Sequence, residues 1–393
     1  MPPAAGLGSG HGAHAIRGRA ADGAIGAYAD RTARSSGATR GGSRAAGMTG
    51  PFTLPPVFVL STGRCGSTMM SDLLNRHPAI LSLSEFMTLL GQEAFARRNP
   101  TGAQMWQVYS RQSPALRAMM AHGEVMDEVL YPLGAPGMRF SAADVPPIAM
   151  VTLPHLTDRH EALFDELAAF VPALPRMELA AHYQALFDHL GRKFGRRVWV
   201  ERSGGSLMVA HKLLRLFPDA RVIHVFRDGR ETAISMSRHP NFRVIVAIIA
   251  ASRRFGLDPR RNFPRAEGRM LDVWLERLVF RLIDAPKLAA RAELPQFGAL
   301  WSDLILLGQQ AISSLPPDRV LPLRFEDVLQ RPREMLDRMI RFIDPSLADA
   351  AWLDAAAAVP RPTASKFATL PPETQRALNA ACAPGLAALG YPA

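Results

Sequence analysis

The chain has 393 residues, of which 48% are hydrophobic, and this is enough apolar material to bury the core of one large domain. No apolar run approaches the roughly 18 residues that span a bilayer, and only two cysteines are present. A transmembrane segment and a disulfide framework are therefore excluded, and a cytoplasmic location is expected. The formal net charge of +11 favours an anionic ligand or partner, with an arginine-rich solvated surface as the alternative interpretation.

Residues 1–50 are rich in glycine, alanine, arginine and serine and poor in large apolar residues. Such a composition cannot bury enough surface to offset the entropy of ordering, so this segment is predicted to be disordered. One domain is predicted over residues 51–393. Met48 precedes the first patterned segment and is a candidate start of translation.

From residue 55 onward, short apolar runs alternate with helical patterns. Helices are predicted at 67–76, within 85–121 and 158–195, and at 268–293 and 297–314, with a proline-rich loop at 131–154. The apolar runs predict five strands, at 57–61, 80–84, 198–201, 221–226 and 320–324. This alternation predicts an α/β fold, a P-loop-like and mainly parallel sheet of about five strands with helices on both faces.

Polar or charged residues follow four of the predicted strands. Such sheets bind ligands beyond the carboxyl ends of their strands, so these residues are expected to line one site. They are the segment 62–68 after the first strand, Glu85 after the second, the pair Glu201-Arg202 at the third, and the segment 227–230 after the fourth.

The segment after the first strand has the composition of a phosphate cradle. Its glycines let the backbone approach an anion, and the N–H groups at the start of the next helix point toward it. Arg64 adds a cation, and Ser67 and Thr68 add hydroxyl donors. The sequence G-x-x-x-x-G-K-[ST] is absent, so this is not a Walker A loop.

A second anion-binding pair follows the fourth strand. Arg227 stands at the strand end, and Ser235 lies two turns along a helix that is predicted to begin near Asp228. Together with the first loop, this pair indicates a nucleotide that is phosphorylated at two places.

The segments STGRCGSTMMSDLLNRHP and RVIHVFRDGRETAISMS resemble the two nucleotide-binding signatures of the sulfotransferase family. The resemblance implies the sulfotransferase fold, 3′-phosphoadenylyl sulfate (PAPS) as the sulfuryl donor and adenosine 3′,5′-bisphosphate (PAP) as its product. It also implies that Arg227 and Ser235 hold the 3′-phosphate. The 5′-phosphosulfate is implied to lie on Arg64, Cys65, Gly66, Ser67 and Thr68.

Within that family the chain most resembles the tyrosylprotein sulfotransferases and their bacterial relatives. Glu85, which stands 21 residues after the loop arginine, matches the glutamate that acts as the general base. Arg202 stands where the family has a lysine that stabilises the transition state, and arginine keeps the charge but not the compact ammonium. Lys366 matches a nucleotide-contacting lysine, and Arg238 matches a further arginine when one residue is skipped. Direct in-line transfer without a covalent intermediate or a metal is implied.

Several alternatives stay open at this stage. A kinase-like phosphoryl transferase and a non-catalytic nucleotide-binding module are compatible with the same sheet. The acceptor is a carbohydrate, a glycolipid, a small molecule or a protein tyrosine, no nucleic-acid partner is expected, and the oligomeric state is not predicted. His77 is expected to cap or pack, Glu326 to be structural, and His155 to lie in the proline-rich loop with nothing to fix it.

Overall fold

Five strands of four to six residues form one parallel sheet in the computed structural model of the chain. The structure describes residues 52, 54–113, 116–117, 120, 128–254 and 291–392, all within one unit, Gly50–Ala393. The predicted disorder of residues 1–50, the candidate start at Met48 and all but the last three residues of the helix predicted at 268–293 lie outside these described residues.

The five strands agree with the sequence prediction to within one residue at each end. The order across the sheet is β2-β3-β1-β4-β5, and every neighbouring pair is parallel. The strands are β1 (Val57–Leu60), β2 (Ile80–Ser84), β3 (Val198–Arg202), β4 (Arg221–Phe226) and β5 (Val320–Arg324).

The register brings the carboxyl ends of four neighbouring strands to one edge of the sheet. Ser84 at the end of β2 pairs with Arg202 at the end of β3, and Leu60 at the end of β1 pairs with His224 of β4. After β1 the chain goes to β2, at one edge of the sheet, and returns through β3. From β3 it crosses over β1 to β4, on the other side of β1. The crevice beside β1 is therefore a topological switch point, where sheets of this class bind ligands.

Helices flank the sheet, and none of those within the described ranges is long and apolar enough to cross a bilayer. Short 3₁₀ helices lie at Gly91–Phe95, Ser206–Val209, Pro317–Arg319, Pro345–Leu347 and Phe367–Thr369. The α-helices of the described residues are α1 (Ser67–Asn75), α2 (Phe86–Leu90), α3 (Gly102–Ser110), α4 (Pro147–Met150), α5 (Thr152–Leu156), α6 (His160–Phe170), α7 (Leu179–Phe194), α8 (Ala210–Leu216), α9 (Gly229–Ser237), α10 (Pro240–Arg254), α11 (Leu294–Ile312), α12 (Phe325–Gln330), α13 (Pro332–Ile343), α14 (Ala350–Ala357) and α15 (Pro372–Ala388).

Two separate apolar cores lie on the two faces of the sheet, as the continuous apolar strands predict. Val57 and Val59 of β1 pack with α1, α13 and α14 on one face. Phe58 and Leu60, which alternate with them, pack with α7, α8 and α11 on the other face. The predicted α/β architecture with helices on both faces is confirmed.

Two stretches of the sequence prediction need correction. The helical pattern within 85–121 is interrupted, because α2 ends at Leu90, before Gly91 with φ of 60°, and α3 begins only at Gly102. The proline-rich stretch 131–154 is not all loop, because α4 begins at Pro147 and α5 begins at Thr152. Proline is favoured at the first position of a helix, so this proline marks a helix start and not a break.

Candidate functional site

The loop between β1 and α1 turns sharply at the edge of the sheet. Gly63 and Gly66 have φ of 78° and 81°, and Arg64 between them has φ of 58°. Left-handed backbone is costly for an arginine, and such strain concentrates at functional sites. Within the described residues, the non-glycine residues with positive φ are Arg64 and Glu85. Both were singled out by the sequence.

Gly66, immediately before α1, lies against the ring of Phe325 at the start of α12. A Cβ atom built at Gly66 would lie 2.0 Å from Cε2 of that ring. The Arg227 guanidinium lies over the same ring, with 5.5 Å between its Cζ atom and the ring centroid. Phe325 therefore joins the first loop to the arginine at the end of β4.

Replacing Gly66 by alanine is expected to destabilise the fold by about 2–5 kcal/mol, because left-handed alanine and a forced clash with Phe325 both add cost. Gly137→Ala is a matched control, since Gly137 has φ of 83° but nothing within 4 Å of its built Cβ. The control is expected to lose only about 1–2 kcal/mol. Urea unfolding measures both values, and equal losses would mean that Phe325 moves aside freely.

The two predicted anion-binding elements touch each other. The Arg64 Nε–H donates to Ser235 Oγ at 3.2 Å. Ser235 is on α9, which begins after Asp228, and the Asp228 side chain accepts the Arg230 N–H to cap the helix. The start of α9 near Asp228 is thus confirmed, and it brings Ser235 to the first loop.

A carboxylate that the sequence did not single out, Glu128, already pairs with Arg64. The Arg64 Nη1–H donates to Glu128 Oε1, and Glu128 Oε2 lies 2.9 Å from His239 Nε2. Burial raises the pKa of the Glu128 carboxyl, but hydrogen bonding and charge from His239 and Arg64 outweigh it and lower that pKa. Arg64 is therefore a cation that binds an oxyanion at this edge.

Glu85 and Arg202 form a buried ion pair beside this loop. The Arg202 Nη1–H donates to Glu85 Oε1, and its Nη2–H donates to Ser84 Oγ at 3.2 Å. The Gly204 N–H donates to both carboxylate oxygens of Glu85, at 3.1 and 3.0 Å. The buried Arg202 Nε–H has no hydrogen-bond partner among the described residues. A buried donor of this kind suits an additional negative charge.

Burial raises the pKa of the Glu85 carboxyl above its ordinary value, and the Arg202 charge opposes that shift. The Glu85 residue is only 8% exposed, yet it lies at the edge of the sheet where ligands of this fold class bind. A carboxylate with a raised pKa is a better proton acceptor at neutral pH than an ordinary one. The pair therefore joins a potential base to a fixed cation.

A groove of about 370 Å³ lies between the start of α9, the end of β5 and residues 363–367. Arg227 lines it and lies 3.7 Å from the Glu231 carboxylate. Glu231 Oε1 also accepts the Ser365 hydroxyl at 2.7 Å and the Phe367 N–H at 2.9 Å. These bonds fasten the segment that carries Lys366, whose side chain is exposed, to the first turn of α9.

The other residues predicted to bind the nucleotide differ in how far they are exposed to solvent. Ser67 is buried at the first position of α1, and Thr68 is exposed. The Cys65 thiol is fully buried against the Val225 carbonyl, and burial raises its pKa, so any contact with an anion would come from the Cys65 backbone. Arg238 ends α9 and is exposed.

Two of the three residues left open agree with the structural roles expected of them. His77 Nδ1 accepts the Ala79 N–H at 3.2 Å, and its Nε2 lies 2.9 Å from the Leu347 carbonyl. Glu326 accepts from the Asp228 N–H at 2.9 Å and from the Tyr391 hydroxyl at 2.8 Å.

His155 is held firmly, contrary to the sequence prediction. It lies on α5 and not in a loop, and its Nε2 is 3.3 Å from Ser82 Oγ and 3.4 Å from Ser71 Oγ. Burial lowers the pKa of its imidazole to about 4, so the ring is neutral near pH 7. Its place between α1 and β2 makes it part of the core.

Sequence reasoning missed Glu128, His239, Glu231 and Phe325. Glu231 had a detectable signal, because it stands one helical turn after Arg227 on a predicted helix. Phe325 directly follows the fifth strand, but an apolar residue there gave no reason to place it beside Gly66. Glu128 and His239 lie in segments without a pattern that indicates a site.

Residues 55–244 match the model of a protein family that is described as the sulfotransferase family. No curated protein matches the chain. Solved structures that resemble it include the sulfotransferase domain of a Synechococcus olefin synthase, with 17% identity over 83% of this chain and 94% of that one, and a TM-score of 0.37.

Two bacterial sulfotransferases give similar values. The Alicyclobacillus acidocaldarius structure has 16% identity over 85% of this chain and 94% of that chain, with a TM-score of 0.36. The Mycobacterium avium structure has 17% identity over 86% of this chain and 77% of that chain, with a TM-score of 0.39.

Proposed function

Because this chain belongs to the sulfotransferase family, we propose that it transfers the sulfuryl group of PAPS to an acceptor hydroxyl. The observation that carries the proposal is the contact between Arg64 and Ser235. It joins the two proposed anion-binding elements at the switch point of the sheet, on the same edge as the buried Glu85–Arg202 pair.

The residues of the loop between β1 and α1 and of the groove that Arg227 lines have the chemistry that a doubly phosphorylated nucleotide needs. Arg64 and the N-terminal N–H groups of α1 would hold the 5′-phosphosulfate, with Ser67 and Thr68 as hydroxyl donors. Arg227 and Ser235 would hold the 3′-phosphate, with Arg238 and Lys366 as further cations. When bound, the donor supplies an activated sulfuryl group, and PAP is the product.

Glu85 is proposed as the general base that removes the proton from the acceptor hydroxyl. Its raised pKa and its fixed position favour that role. Arg202 would stabilise the negative charge that develops on the transferring group, with its unpartnered Nε–H as the available donor. A direct in-line transfer needs no nucleophile from the protein.

The acceptor class stays open among a carbohydrate, a glycolipid, a small molecule and a protein tyrosine. A cytoplasmic location stays a prediction. Independence from metal also stays a prediction, and transfer assays with and without a chelator test it.

Arg227→Ala is expected to weaken PAP binding by at least about tenfold, or about 1.4 kcal/mol, because it removes a guanidinium from the 3′-phosphate site. Isothermal titration of PAP into the wild type and the variant measures the change. Arg192→Ala is the matched control, since Arg192 is an exposed arginine in the last turn of α7, beside the opposite edge of the sheet.

The same protein samples separate the proposal from a phosphoryl transferase. PAP is expected to raise the melting temperature, and ATP with Mg²⁺ is not. No measurable PAP binding by the wild type would refute the donor site itself.

A further inference from the structure

The first turn of α2 is capped by residues from β3 and the segment after it, and not by its own N-cap residue. Glu85 occupies the N-cap position, but its side chain makes no capping hydrogen bond. The Met87 N–H donates instead to Glu201 Oε1 at 3.1 Å, and the Thr88 N–H donates to Ser203 Oγ at 3.1 Å. Free N–H groups at a helix start need such acceptors.

Glu201 and Ser203 are hydrogen-bonded to each other. The Ser203 hydroxyl donates to Glu201 Oε1, the same oxygen that accepts the Met87 N–H. Thr88 closes the arrangement on its other side, because its hydroxyl donates to the Gly204 carbonyl at 2.9 Å. The Gly204 N–H in turn binds the Glu85 carboxylate.

Because Glu201 and Ser203 accept the N–H groups of the first turn, the Glu85 side chain does not make the capping hydrogen bond that an N-cap side chain usually makes. This arrangement also holds the backbone of Glu85 in its left-handed conformation, whose cost is about 1–3 kcal/mol. The Glu85 N–H is fixed as well, since it donates to the Arg202 carbonyl at 2.7 Å. Within the described residues, the hydrogen bonds of the Glu85 backbone thus go to Arg202 of β3 and to the Leu89 N–H of α2.

Glu201 is fully buried, and its Oε2 has no hydrogen-bond partner within the described residues. Burial raises the pKa of its carboxyl to about 7, and the Glu85 charge acts in the same direction while Arg202 opposes it. Tyr183 of α7 also faces it, and the Glu201 charge raises the pKa of that phenol. Among the described residues, Glu85, Arg202 and Tyr183 are therefore the ionisable groups that interact with Glu201.

We propose that Glu201 and Ser203 are positioning residues that hold Glu85 in place for proton abstraction by capping α2 from outside. This inference rests on the proposed function, in which Glu85 is the base. Neither residue touches the acceptor. Their effect is on the position of the Glu85 carboxylate, and small displacements of a catalytic group lower rates steeply.

Two substitutions at Glu201 separate the capping acceptor from the rest of the side chain. Glu201→Leu removes the acceptor of the Met87 N–H, while Glu201→Gln keeps an oxygen there. With labelled PAPS as donor and 2-naphthol and a tyrosine-containing peptide as acceptors, kcat of Glu201→Leu is expected to fall by about 10²-fold. The PAP dissociation constant is expected to stay within about twofold, and kcat of Glu201→Gln to return to within about threefold of the wild-type value.

Two further readouts follow the capping contact and the ionisation of Glu85 separately. Hydrogen exchange of the Met87 and Thr88 amides should accelerate in Glu201→Leu and not in Glu201→Gln. The acid limb of kcat should keep its place in Glu201→Gln, because the acidic neighbour whose charge raises the pKa of Glu85 is Glu128 and not Glu201.

Ser203→Ala supplies a second test if the leucine variant does not fold, since it removes the acceptor of the Thr88 N–H and the hydroxyl bonded to Glu201, but leaves the Glu201 acceptor of the Met87 N–H in place. An unchanged kcat in Glu201→Leu, or in Ser203→Ala where that variant replaces it, would overturn the inference. So would a PAP affinity that falls in proportion to kcat. If the wild type does not bind PAP at all, the proposed function is refuted instead. The amide exchange rates would still decide whether Glu201 caps α2.

Discussion

Glu85→Gln is expected to lower the transfer rate by about 10²–10⁴-fold, the range that a general base contributes. Glutamine has nearly the same shape and keeps an oxygen for Arg202 and for the Gly204 N–H, so the fold should persist. PAP binding, measured by isothermal titration, should stay close to the wild-type value. The rate itself is followed by transfer of a labelled sulfuryl group from PAPS.

The control for this substitution is Glu373→Gln, which alters an exposed carboxylate in the first turn of α15. The wild-type rate should also fall as the pH is lowered through the raised pKa of Glu85, because only the ionised carboxylate accepts a proton. That acid limb should disappear in Glu85→Gln. An unchanged rate in the variant would exclude Glu85 as the base and favour a non-catalytic role for the nucleotide site.

Arg202→Met is expected to destabilise the fold by about 3–5 kcal/mol, because it leaves the Glu85 carboxylate buried without its countercharge. Arg202 is 2% exposed, so solvent cannot replace the lost partner. Guanidinium chloride unfolding of the wild type and the variant measures the difference. Transfer should fall too, since the same side chain is the proposed stabiliser of the developing charge.

A double-variant cycle decides whether the pairing causes that loss. Arg202→Met combined with Glu85→Gln removes both charges of the pair, so it should be less destabilised than the sum of the two single variants by about 0.5–3 kcal/mol. Arg202→Lys keeps the charge and should lose less stability than Arg202→Met. Additive losses in the cycle would show that the two side chains act independently.

The sheet and the edge that carries the site are readable from the sequence because both depend on local patterns. Five apolar runs have the lengths of buried strands, and polar residues follow four of them. Once parallel pairing is assumed, the ends must meet at one edge, and the register of Ser84 with Arg202 confirms it. The approach of Arg64 to Ser235 follows from the same geometry.

The parts that the sequence did not reveal depend on contacts between distant segments. Glu128 reaches Arg64 across 64 positions of the chain, and Glu201 reaches the Met87 N–H across 114. His155 gave the wrong expectation because the proline at position 147 begins a helix, and the helices that follow place its ring between two serines. No local periodicity encodes such pairings, since each depends on how the chain returns to the sheet.

The central position of β1 has a consequence for how the chain is made. A ribosome releases this strand first, but Val57 pairs with Val200 on one side and with Arg221 on the other. Both edges of β1 therefore stay unpaired until about half of the chain has been translated, and parallel pairing over such separations is slow. Exposed strand edges during that interval favour aggregation. The loop that carries Arg64 is thus translated early, but its hydrogen bond to Ser235 forms only after α9 has been translated and has packed against the sheet.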